Sequence, residues 1–196
     1  MAPLHVLVMG HSFIRRLRDY VFTDGDNTNL RLQGDQFEVE FRAAGGLTIH
    51  RMASDGRFTS FERIPDIVFL QIGGNDLDNG RDVKTVTRDI ISYGNFLVKG
   101  CSVQSVIIGQ VIWRKRTNSY NAKVIELNNA LKHWVQQHAD ANIIFHHHHG
   151  FWSSNFDFLS SDGVHIKCSH TDKRHMHKYM QSVKRAILRA ANRLPG

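Results

Sequence analysis

Apolar runs of strand length alternate along this chain with longer stretches of helical periodicity. The runs fall at Leu4–Met9, Phe37–Phe41, Asp66–Ile72, Val103–Val111 and Asn142–Phe145, and they are rich in valine and isoleucine. Short continuous runs of this kind suit strands buried on both faces. Around them the pattern predicts helices over Phe13–Val21, Val83–Lys99, Tyr120–His138 and Thr171–Arg193. Within the third, Val124, Leu127, Leu131, Trp134 and Val135 recur at helical spacing, which assigns Trp134 to the core. Strands alternating with helices predict an α/β protein: a three-layer α/β/α sandwich around a mostly parallel five-stranded sheet, with right-handed crossovers. No internal repeat or low-complexity linker divides the chain, so residues 1–196 are expected to form a single domain.

In open α/β sheets, ligands bind beyond the carboxyl ends of the strands. Polar blocks collect at those places. Gly10-His11-Ser12 follows the first run, Gly45-Gly46 the second and Gly73-Gly74-Asn75-Asp76 the third, while Asp162-Gly163-Val164-His165 lies between the last strand and the last helix. A serine hydroxyl becomes a useful nucleophile when a base takes its proton, and an acid partner holds that base in the right tautomer. Ser12, His165 and Asp162 can take those roles, and Asp162 and His165 are close enough in sequence for one loop to present both. The developing oxyanion needs donors aimed at it in advance. The Ser12 N–H, the N–H of Gly45 or Gly46, and the Asn75 amide are candidates. Each piece alone has a plainer reading: Ser12 as a helix N-cap, Asn75 as a turn residue, Asp162 as an Asx turn. Asp76 suits a bracing role in its loop.

In this order the four blocks resemble the SGNH (GDSL-type) hydrolase family, named for its Ser, Gly, Asn and His, over residues 4 to about 170. The resemblance implies a flavodoxin-like fold and a serine esterase that cleaves an acyl or acetyl ester through an acyl-serine intermediate. It makes Ser12, His165 and Asp162 the triad, and Ser12, Gly46 and Asn75 the oxyanion hole. It implies no metal and no organic cofactor. The family's first block usually reads Gly-Asp-Ser, whereas this chain has His11 in place of the aspartate. That departure supports a second expectation, a catalytically weak or inactive module of the same fold that holds nucleic acid or a protein partner. The opening Gly-His-Ser-Phe-Ile-Arg-Arg-Leu is also similar to esterase-like domains of animal retrotransposon proteins, which implies a piece of a larger polyprotein.

The 196 residues carry a net charge of +7 and are 41% hydrophobic, ordinary for one domain with a sizeable core. Residues 171–196 hold seven lysines and arginines against one aspartate, a net of +6. This basic C-terminal helix, about 171–194, reads either as a patch for nucleic acid or as a solvated face packed through Met176, Met180, Val183, Ile187 and Leu188. Trp113-Arg114-Lys115-Arg116 follows the fourth run and brings an aromatic and positive charge to the expected rim. Trp113 and Arg114, with His11, are therefore candidate substrate contacts, a solvated loop being the plainer reading of the basic stretch. His146–His149 follows a strand. Neighbouring side chains on an extended segment alternate, so at most two of these imidazoles face one way, short of the three or four ligands zinc prefers. This loop is expected to touch substrate or support the triad. Cys101 and Cys168 lack a paired spacing, so no disulfide is expected. The chain as given opens without a signal-peptide pattern and holds no apolar run of about 20 residues, which suggests a cytoplasmic location. The natural ester, whether small-molecule, lipid or carbohydrate, and the oligomeric state are not written in the sequence.

Overall fold

Each of the five apolar runs becomes a strand in the computed structural model, which describes residues 2–23, 25–116, 118–139, 142–151 and 155–194. The strands are β1 (Leu4–Gly10), β2 (Phe37–Ala43), β3 (Ile67–Gln71), β4 (Ser105–Gly109) and β5 (Ile143–His146). All pair in parallel, in the order β2-β1-β3-β4-β5. The helices are α1 (Ser12–Thr23), α2 (Ile49–Ser54), α3 (Gly56–Thr59), α4 (Gly74–Asp78), α5 (Val83–Asn95), α6 (Asn118–Gln137) and α7 (Arg174–Ala191). The four long ones lie where helical periodicity predicts them. At the end of α5 the chain loosens into a π turn, Phe96–Gly100, short of a full helix to Lys99.

Alternation along the strands builds two cores. Val6 and Val8 of β1 face one layer with Phe13, Ile14 and Leu17 of α1 and Tyr179, Met180 and Val183 of α7. Leu7 and Met9 face the other, with Val86 and Ile90 of α5 and Val124, Leu127 and Leu131 of α6. A sheet covered on both faces explains the unbroken apolar character of its strands. Trp134 is half-buried at the border of the second core, its ring stacked 4.3 Å from His138. Apolar flanks also overstated β3 and β4: Ile72, Val103 and Val111 are buried, yet they lie in the connecting segments.

Gly10 ends β1 by close approach, since a Cβ there would overlap the Gln71 carbonyl oxygen and lie 2.8 Å from Ile14 Cγ1. The chain can therefore turn from β1 into α1 within one residue of β3.

The histidine run alternates as extended backbone requires. His147 and His149 are exposed with rings 4.9 Å apart, whereas His148 is fully buried and His146 half-buried, 5.0 Å from it. Beneath the site they join a directed hydrogen-bond network. Gln71 Nε2 donates to the Gln110 carbonyl (2.9 Å), which leaves Gln71 Oε1 to accept from the Tyr179 hydroxyl (3.1 Å) and His148 Nε2 (3.0 Å). His148 Nδ1 then accepts from Ser182 Oγ (2.9 Å), which in turn accepts from His146 Nε2 (2.9 Å). Burial, followed by its histidine neighbours, holds His148 well below the usual imidazole range, so it is neutral. Cys101 and Cys168 are free thiols, and no helix among the described residues is long and apolar enough to cross a membrane.

Candidate active site

Ser12 opens α1 at the carboxyl end of β1. The carbonyl of His11 accepts the N–H groups of Ile14 (3.0 Å) and Arg15 (3.2 Å), and its ring Nδ1 takes that of Phe13 (3.4 Å). His11 is thus the N-cap of α1, a position where an aspartate side chain would serve the same N–H more strongly. The ring is 1% exposed. Burial, then the charge of Arg114 and the proximity of His165, lower its pKa to about 3, so it stays neutral.

Asp162 and His165 stand on a small hairpin of their own. Leu159 and Ile166 bridge its base, and the Ser160 N–H donates to the His165 carbonyl (2.8 Å). At its tip, Asp162 Oδ1 accepts from Val164 N–H (2.8 Å), His165 N–H (2.9 Å) and Ser160 Oγ (2.9 Å). Burial pushes the Asp162 carboxyl up, but these bonds outweigh it and hold the group well below the usual carboxylate range. Its Oδ2 meets His165 Nδ1 at 2.7 Å, with Arg16 Nη2 3.8 Å away. A carboxylate cannot donate, so Nδ1 carries the proton and Nε2 accepts from Ser12 Oγ at 3.0 Å. The Lys115 N–H reaches the Gly163 carbonyl (2.7 Å) and fastens the hairpin to the segment after β4.

The second and third blocks are pinned to each other. Gly46 has φ +65°, a left-handed turn that any L side chain would strain. Asn75 Nδ2 donates to the Leu47 carbonyl (3.0 Å), and the Asp76 carboxylate, fully buried, accepts the Ile49 N–H (3.0 Å) while Arg81 bonds its other oxygen (2.8 Å). Burial raises the Asp76 pKa, against the pull of the Ile49 N–H and Arg81.

Two expected substrate contacts need correction. His11 and Arg114 are 1% and 2% exposed: His11 Nδ1 is taken by the Phe13 N–H and the Arg114 guanidinium by Asn75 and Asp78, so both are built into the loops rather than standing open at the surface. Arg114 Nη2 donates to Asn75 Oδ1 (2.8 Å) and Nη1 to Asp78 Oδ2 (3.1 Å), with its guanidinium 5.5 Å from the Tyr120 ring centre. Trp113 is half-buried, packs against both cores and lies 6.4 Å from the Phe156 ring. Nor does His148 reach toward solvent. Sequence reasoning missed the supports Arg114, Gln71 and Tyr179; a glutamine closing the apolar strand Ile67–Gln71 was the available signal, because a buried amide needs partners.

Residues 16–182 match the model of the GDSL-like Lipase/Acylhydrolase family. The chain belongs to this family. The match begins just after Ser12, so the first block rests on its geometry. No curated protein matches in sequence. Among solved structures, a carbohydrate esterase family 3 protein of Talaromyces cellulolyticus is 17% identical over 98% of this chain and 100% of its own, with a TM-score of 0.70. A GDSL-like lipase of Bacteroides thetaiotaomicron is 18% identical over 95% and 88%, TM-score 0.66, and an acetyl xylan esterase of Geobacillus stearothermophilus 15% over 96% and 94%, TM-score 0.60. At such identities the likeness carries the fold: this GDSL-family chain is a parallel α/β sandwich of the SGNH type.

Proposed function

We propose that this GDSL-family protein is a serine esterase that works through an acyl-serine intermediate. The observation that carries the reading is the unbroken relay from Asp162 Oδ2 to His165 Nδ1 (2.7 Å) and from His165 Nε2 to Ser12 Oγ (3.0 Å). Ser12 Oγ attacks the ester carbonyl as His165 Nε2 takes its proton, and Asp162 steadies the imidazolium. His165 then returns the proton to the leaving alcohol. Water, activated by the same imidazole, releases the acid and restores Ser12. The Ser12 and Gly46 N–H groups and Asn75 Nδ2 are assigned to the oxyanion. Nδ2 has two hydrogens, one spent on Leu47, so a second remains for substrate.

His11 supports activity rather than arguing against it. It keeps α1 capped through its ring, and as a neutral group it places no charge beside Ser12. The test is release of p-nitrophenol from a short-chain ester. Turnover by the parent, lost by about a thousandfold or more in Ser12→Ala, is expected; equal rates from the two proteins would overturn the esterase assignment.

A further inference from the structure

β5 is one of the sheet's two edges, and the groove beside it is cationic. It encloses about 410 Å³. Ile143 and Phe145 form its floor, Lys132 enters from α6, His147 from the strand's end, and Arg189 and Arg193 from α7 and the turn beyond it. Arg185, Arg189 and Arg193 recur every fourth residue and are exposed, so their charges climb one helix face at intervals of about 6 Å.

The cations of this region differ in what they are engaged with. Arg174 bonds Asp172, Lys178 sits 5.8 Å from the Phe151 ring centre, and Lys184 donates to the Arg31 carbonyl. Those charges serve the fold. By contrast, among the described residues Lys132, Arg185, Arg189 and Arg193 have no hydrogen-bond or ion-pair partner, and no described carboxylate lines the groove. Their field reaches the strand: after burial, the charges of Arg189 and Arg185 help hold His146 at about 4. Exposed lysines commonly guard an edge strand against pairing. Guarding needs no concavity, however, and cations converging on one groove repel each other until an anion sits among them.

We propose that this groove binds the phosphodiester backbone of single-stranded nucleic acid. A line of cations at regular spacing suits a repeating anion. The groove is separate from the catalytic centre: Tyr179, near the start of α7, touches Gln71 beneath the rim, and Arg189 and Arg193 follow 10 and 14 residues later, about 15–21 Å down the helix.

The experiment measures anisotropy of a fluorescein-labelled 15-nucleotide RNA of mixed sequence, titrated with the intact chain in 50–200 mM KCl. Arg189→Glu/Arg193→Glu is compared with Lys84→Glu/Lys99→Glu, which changes net charge equally at exposed sites on α5 and the turn after it. The groove pair is expected to weaken binding at least tenfold at 50 mM and to flatten the salt slope by about 1.4, at about 0.7 per phosphate contact. The control pair should change affinity less than twofold. Lys132→Glu, on α6, repeats the test should the arginine pair melt early. Equal losses from both pairs, no binding by the parent, or displacement of RNA as readily by polyglutamate or anionic vesicles would overturn the proposal.

Discussion

Asn75 can donate to an oxyanion only if its nitrogen, rather than its oxygen, faces the serine. Two contacts decide this. The Arg114 guanidinium holds Oδ1 and the Leu47 carbonyl takes one N–H, so a flipped amide would set donor against donor and acceptor against acceptor. Arg114 is therefore a positioning residue. Asn75→Ala is expected to lower kcat by about 10²–10³ with little change in KM. Arg114→Met should lower kcat by roughly tenfold or more, and the double variant should be no worse than Asn75→Ala alone, if the bond to Asn75 is the one through which Arg114 serves the reaction. Additive losses on p-nitrophenyl ester hydrolysis would leave Arg114 a merely structural part. At this scale the sequence was readable where chemistry restricts the residue type: a Ser, a His three places after an Asp, an Asn after paired glycines. Arg114 was unreadable as a support, since its partner is 39 positions away and nothing local says that a guanidinium in a basic run turns inward.

Elements were legible in proportion to their length. β1 and the four long helices carry enough residues for a period to register, whereas α2, α3 and α4 span at most six residues and were not foreseen. Asn75 lies on α4, which is tied to Leu47 and to the start of α2, so the element pattern said least about the donors proposed for the oxyanion. The run Val103–Val111 was read as a longer strand than β4 because burial in a loop looks the same in sequence as burial in a sheet. The junction of β1 and α1 tolerates least change. Gly10→Ala sets a methyl against the backbone carbonyl of Gln71, which cannot swing aside. We expect a loss of about 3 kcal/mol, read as a lower urea midpoint, whereas Gly34→Ala, in open space, should be near neutral.

For the whole molecule, three histidines tie stability to acidity. His11 and His146 titrate at about 3 and about 4 in the folded chain, and His148 well below its ordinary value. An unfolded histidine titrates near 6.5. Their folded values are depressed, so unfolding takes up protons: their contribution is fully present above about pH 6.5 and falls away towards pH 3–4, by up to about 1.4 kcal/mol per pH unit for each. Urea midpoints should therefore drop steadily from pH 6.5 to 4, and His11→Asn, which keeps a cap but cannot titrate, should flatten that slope. A flat profile in the parent would contradict the buried, neutral state of these rings. The topology has one more outcome. Ser12 and His165 are 153 positions apart, one opening the first crossover and the other following the last strand, and they meet only through a docked hairpin. A chain emerging from the ribosome can form its central strands with Ser12 already in place, but the proposed relay closes only after the Asp162–His165 hairpin has been made and docked, so on this reading folding order sets the moment at which reactivity begins.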